Sequence, residues 1–296
     1  MRLLSIGRLL LLSAILITAF ASAPRQASAE PYVQGPTFCS ECHRDENKNW
    51  EETKHFKSYR TAHKAKDAKK ISKAVSGKKS MKRNKSCTIC HYSNDQKTPD
   101  GKAKLKYGPA CESCHGASSV WEPIHFEYGG KNVKREDETP EHKTKRIADS
   151  TAAGLIWSSM NYDIAVNCMK CHGLARTDVS GEAFGKMLEA GHPINPSFEV
   201  VMFSQGLMSH WSDKRSPAKL AQLYIAGQAA KLVSATKAAA NSADAQYKAA
   251  QTKRADEAKA ALQSVPQAAA LIQSPSDDAA RKMMQDIGEQ DMTGTV

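Results

Sequence analysis

A mainly α-helical fold, with helices and loops wrapped around apolar groups that the polypeptide does not itself supply, is predicted by three observations. The chain has a mean hydropathy of −0.53 and only 6% aromatic residues, too little large apolar volume to fill a core unaided. Period-two strand patterns are almost absent. All eight cysteines stand in Cys-x-x-Cys-His units, at Cys39, Cys42 and His43, Cys87, Cys90 and His91, Cys111, Cys114 and His115, and Cys168, Cys171 and His172. Those units identify the missing volume.

Residues 1–29 read as a leader outside the fold. Arg2 and Arg8 give a basic start, Leu9 to Ala23 is apolar or small, and Ala27, Ser28 and Ala29 form a small-residue cleavage site before Glu30. Ala21, Ser22 and Ala23 fit the same pattern, but Pro24 follows them and makes a poor cleavage partner. The run is too short for a convincing membrane span, and no other apolar run could cross a bilayer. The expectation is a protein exported to the periplasm or beyond, cleaved after Ala29. Without Arg2, Arg8 and Arg25 the formal charge of +11 falls to +8.

Residues 30–216 form the predicted haem domain. Cys-x-x-Cys-His is the attachment signature of c-type haem. Two thiols three apart on a helical turn share one side and reach both porphyrin vinyl groups, while the next histidine points at the iron. Structural zinc would consume four thiolates per ion and leave the histidine after each pair unexplained. A thioredoxin-like site comes once, beside a βαβ pattern that is missing here. No cysteine is left over to demand a disulfide. Four covalent haem c groups are expected, and burial of their flat faces, at about 25 cal/mol per Å², supplies the core.

A low-spin electron-transfer haem needs a second axial ligand. Six histidines lie outside the motifs. His55 follows Trp50 on what reads as a helix continuing from the first motif. His125 follows Trp121 and Pro123, His192 sits in a Gly-His-Pro turn, and His210 precedes Trp211. These four are the predicted distal ligands, with His125 serving a haem other than the one at Cys111 and Cys114. His63, in a lysine-rich helix, and His142, in a charged loop, read as solvated side chains.

Only 19 residues separate His91 from Cys111, which makes the second and third haems neighbours; Pro99, Asp100 and Gly101 mark a turn between them. Residues 64–85 hold ten basic residues and one acid. That stretch is either a solvated face or a patch that steers an acidic redox partner. Nucleic acid is not an expected partner of an exported chain, and membrane association, if any, is peripheral.

Residues 217–265 are rich in alanine and other strong helix formers. Leu220, Leu223 and Tyr224 start an apolar stripe that Gly227 weakens. Beyond it the helix is polar or alanine nearly all round, and so is expected to pack on a partner or on the haem domain, or to project. Residues 266–296 are expected to hold a short helix from Asp277 to Ile287 and a disordered tail.

Cys39 to His55, CSECHRDENKNWEETKH, resembles the opening of the tetrahaem cytochrome c-554 family, where a first haem motif is followed by a tryptophan and a distal histidine. Cys111 to His125, CESCHGASSVWEPIH, is similar to that family's third motif. Gly191 to Trp211 resembles the Gly-His-Pro … Phe-Glu … His-Trp block of related multihaem cytochromes. Ala117 stands where relatives often have proline, and Ser118, Ser119 and Val120 replace a glycine-rich spacer. The resemblance implies a compact haem cluster that collects electrons from a multihaem dehydrogenase and passes them on. It also implies that one iron can lack a sixth ligand, and the second motif, at Cys87 and Cys90, is then the candidate.

The function expected is that of a periplasmic tetrahaem cytochrome, moving electrons between redox partners by outer-sphere hopping. The partners expected are redox proteins, a multihaem dehydrogenase or a membrane quinone-linked cytochrome, docking on 64–85. The alternative is a multihaem oxidoreductase acting on a small nitrogen or sulfur compound at a five-coordinate haem, with His63, His142 or Arg176 lining its pocket. No acid–base constellation outside the haem ligands points to other catalysis.

Overall fold

The computed structural model describes residues 30–194, 198–204 and 215–296. It is 61% helix and 3% strand, so the helical expectation holds and the strands have only a local role. The predicted leader falls outside the described residues.

Short helices carry the first three motifs. Pro36–Cys39 opens on proline at its first turn, Arg44–Glu52 follows, and Thr53 then starts a new helix, Lys54–Thr61, by accepting from Phe56 N at 3.2 Å. His55 therefore stands in the first turn of a separate helix, not on a continuation from the first motif. His63 lies in a short 3₁₀ turn, Ala62–Lys64. Helix Ala68–Ser76 ends at Gly77, whose φ of +73° is the left-handed conformation that a helix stop needs. Helix Lys85–His91 carries the second motif, capped by Asn84, which accepts from Ser86 N.

A two-stranded antiparallel hairpin joins the second and third motifs, pairing Ser93 with Tyr107, Asn94 with Leu105 and Asp95 with Lys104. The turn expected at Pro99 to Gly101 lies in its loop. Helix Cys111–His115 carries the third motif and helix Glu122–His125 ends on the predicted ligand. Thr139 and Pro140 start helix Pro140–Ala152, so His142 belongs to a first helical turn rather than a loop. Helix Asn161–His172 carries the fourth motif at its C-terminus.

The alanine-rich segment is a helical hairpin rather than one helix. Pro217–Ala240 stops at Asn241, and Asp244 accepts from Tyr247 N at 2.8 Å to start Ala245–Ala261. Ile225, Ala226, Ala229, Ala230 and Ala235 are fully buried. Small side chains let backbones approach closely; a Cβ on Gly227 would meet Val200 at 3.0 Å. Helices Ala269–Gln273 and Asp277–Ile287 close over them, with Leu271, Met283 and Ile287 buried. The tail expected to be disordered folds back, and Met292 is buried in the same cluster. The chain thus owns an apolar core of its own, built on the fourth motif's helix. Among the described residues no helix is long and apolar enough to cross a membrane.

Candidate haem-binding centre

None of the eight cysteines pairs with another in a disulfide. Cys39 lies beside Cys111, and Cys90 beside Cys171, each close enough to influence the other's protonation. Cys114 lies near Cys168 and Cys171. These contacts link the first motif to the third, the third to the fourth, and the fourth to the second. Asn167 Nδ2 donates to Cys114 O at 2.7 Å and ties the third motif to the helix of the fourth.

The histidines meet in pairs. His43 faces His125 with ring centroids 6.4 Å apart, His55 faces His172 at 5.9 Å, and His91 faces His192 at 6.0 Å. Two imidazoles that share one metal, each nitrogen about 2 Å from it, put their centroids about 6 Å apart. Each pair joins a motif histidine to one of the predicted distal histidines. The second motif, expected as the candidate for an open iron, has the His192 ring facing its His91. The fourth predicted distal ligand, His210, lies outside the described residues.

Protonation fits ligation. His115 Nδ1 donates to Ile156 O and His192 Nδ1 to Pro193 O, each at 2.8 Å, and His125 Nδ1 donates to Glu122 O. A proton fixed on Nδ1 leaves the Nε2 lone pair for a metal. Burial lowers the pKa of His55, His125 and His192; it takes His91 and His172 down to about 4, helped by neighbouring histidines. All five are neutral at pH 7. His142 differs: Nδ1 meets Glu138 at 2.8 Å and Nε2 meets Glu127 at 2.9 Å, so neither nitrogen is available to iron. His63 Nδ1 is buried without a partner. Arg176 pairs with Asp178 at 2.7 Å.

Among the described residues no three His, Cys, Asp or Glu side chains converge on one point. Paired imidazoles beside paired thiols suit an iron that brings its own four equatorial nitrogens. The residues therefore fit covalent haem.

Several supporting residues carry no sequence signal. Glu112, inside the third motif, accepts from Gln34 N at 3.0 Å, Gly35 N at 2.8 Å and Ser118 N at 2.8 Å, binding the N-terminal segment to that motif. Trp50 donates to Pro109 O at 2.9 Å and packs edge-on against Phe56. Trp121 meets the His125 ring edge-on at 5.2 Å. Arg254, buried, reaches Met169 of the fourth motif, and its Nε and Nη1 have no partner. Phe198 stacks on His172 at 4.2 Å.

The chain matches the family described as cytochrome c554 and c-prime over residues 38–116. That stretch takes in the first three motifs and ends before the fourth. Comparison with curated proteins and with solved structures gave no match.

Proposed function

We propose that the chain, which matches the family described as cytochrome c554 and c-prime over residues 38–116, is an exported tetrahaem carrier of electrons between redox partners. The observation that carries the proposal is the set of three opposed imidazole pairs, 5.9 to 6.4 Å apart, each beside a pair of thiols. Bound haem supplies one-electron chemistry at iron.

The chain's own part is to attach, ligate and space these groups. Cys39, Cys42, Cys87, Cys90, Cys111, Cys114, Cys168 and Cys171 provide the eight thioether sulfurs. His43, His91, His115 and His172 are the proximal ligands. His125, His192 and His55 serve opposite His43, His91 and His172, and His210 is the distal ligand expected opposite His115. Two imidazoles hold an iron alike in both oxidation states, which suits transfer without bond changes, and histidine in place of methionine keeps potentials low. The nearness of thiols of the first and third, third and fourth, and fourth and second motifs supports one connected cluster. Export is supported by the leader and by the need to attach haem outside the cytoplasm. No observation favours the oxidoreductase reading, since the second motif has its opposed histidine.

Intact mass and paramagnetic resonance of the secreted protein test the proposal. Four added haem masses and low-spin ferric signals are expected. A mass equal to the bare chain, or a dominant high-spin signal, overturns it.

A further inference from the structure

The charge of this chain is segregated. Residues 54–107 hold seventeen Lys and Arg against three Asp, a net of +14. The chain from Glu30 onward carries +8 in all, so the rest of it is net −6. Residues 30–53, around the first motif, carry six acids against Arg44 and Lys48, a net of −4.

The basic stretch is one spatial unit around the second motif. Ala68, Met81, Cys87 and Tyr92 form a small apolar cluster, with Tyr59 and Leu105 packed on it. Tyr59 OH donates to Leu105 O, and Asn84 Nδ2 donates to Ser72 O. The lysine-bearing helices and the hairpin thus share one floor. Sixteen of the seventeen cations are exposed; Lys82 lies over the Tyr59 ring at 3.7 Å. On the hairpin, Lys97, Lys102, Lys104 and Lys106 ring a recess. The Asp95 carboxylate there is 5% exposed and bound to Lys106 at 3.1 Å and Lys97 at 3.4 Å.

We propose that the face built by Lys54 to Tyr107 around the second motif is the docking port for an acidic protein surface, and that the neighbouring acidic segment, residues 30–53, forms no part of it. The inference rests on the electron-carrier reading and adds an entry face to it: acidic partners meet the surface around the second motif. A lipid surface fits less well. Interfacial membrane segments pair basic residues with exposed apolar ones. The exposed large apolar side chains, Phe126, Ile147, Met202, Phe203 and Val296, all lie outside 54–107.

The test uses haem-loaded protein on a gold electrode bearing a carboxylate-terminated monolayer, as the probe of an acidic surface. Wild type should adsorb at low salt, exchange electrons with the gold, and desorb as salt rises. Reversal of exposed lysines (Lys64→Glu, Lys66→Glu, Lys97→Glu, Lys102→Glu) should cut coverage about tenfold, with unchanged visible spectrum. Lys→Gln at the same positions should fall between. Reversal in the acidic segment (Asp45→Lys, Glu51→Lys, Glu52→Lys) should leave coverage equal or higher. Equal losses from both reversals, or unchanged coverage in the lysine variant, overturn the port. Lysine-dependent co-sedimentation with phosphatidylserine vesicles, without adsorption to the monolayer, overturns it in favour of lipid. Lysine-dependent adsorption with no redox wave from any variant overturns the carrier reading instead.

Discussion

Arg146 grips the backbone of His125: its Nη1 donates to the His125 carbonyl oxygen at 2.7 Å. Nε and Nη2 of the same guanidinium bind both oxygens of Glu138, at 2.7 and 2.6 Å. Both side chains are buried, and helix Pro140–Ala152 thereby fixes the ring that opposes His43. Arg146→Met removes the grip and strands the carboxylate. A new high-spin ferric component from one site is expected by paramagnetic resonance, with a Tm lower by about 5 °C. Arg146→Lys, which keeps charge without the fork, should recover stability only in part.

The same network has a pH window. Hydrogen bonding to Glu138 raises His142 above its ordinary 6.5, aided by Glu127 and opposed by desolvation. Hydrogen bonding from Arg146 holds Glu138 down to about 2. A raised histidine stabilises fully below 6.5, and that share is lost as pH climbs through the raised value. A depressed carboxylate stabilises above its ordinary 4.5, and that share fades as pH falls toward 2. Thermal unfolding should show this network contributing most between about 4.5 and 6.5. His142→Gln should remove the decline on the neutral side and keep the acid one.

Gly108 sits where no side chain fits. A Cβ there would lie 1.9 Å from the His55 carbonyl oxygen and 2.4 Å from Ser58 Oγ. Gly108→Ala must push the first turn of helix Lys54–Thr61 away and spoil the approach of His55 to His172. We expect a loss of about 1–3 kcal/mol in denaturant unfolding, with a high-spin signal from one site. Unchanged spectra would remove His55 from the ligand set.

Arg254 is a buried cation behind the fourth motif. Burial lowers its pKa to about 10, and its charge lowers that of His172. A positive charge near an iron favours the ferrous state. Arg254→Met should lower one midpoint potential by roughly 50 mV, about a tenfold change for one electron. Stability should stay within about 1 kcal/mol, because a buried charge with unpaired N–H groups costs as much as it contributes. Redox titration followed in the visible bands measures the first, and calorimetry the second.

The Cys-x-x-Cys-His units were legible in the sequence because they are local: two thiols and an imidazole within five residues need no tertiary information. His55, His125 and His192, which face motif histidines, were legible as candidates from aromatic and proline neighbours. Their partners were not, because His43 meets His125, and His55 meets His172, only through the fold. His142 was set aside as solvated, and the reason it cannot ligate, carboxylates on both nitrogens, needed the turn at Gly129 and Gly130 beside its helix. The alanine-rich stretch misled in another way. Hydrophobic patterning undervalues alanine, yet Ala226, Ala229 and Ala230 are fully buried because they let helices close in. The second strand, Lys104–Tyr107, is too short for its alternation of outward lysines with inward Leu105 and Tyr107 to stand out in the sequence.

Each opposed pair spans most of a domain's worth of chain: 82 residues from His43 to His125, 117 from His55 to His172, 101 from His91 to His192. On the proposed reading, in which haem joins the chain after export, the first motif to emerge offers its cofactor half a socket. The other half arrives only with a much later stretch of chain. Secretion, cofactor ligation and closure of the C-terminal hairpin become one concerted maturation event, and truncated products should be the vulnerable ones.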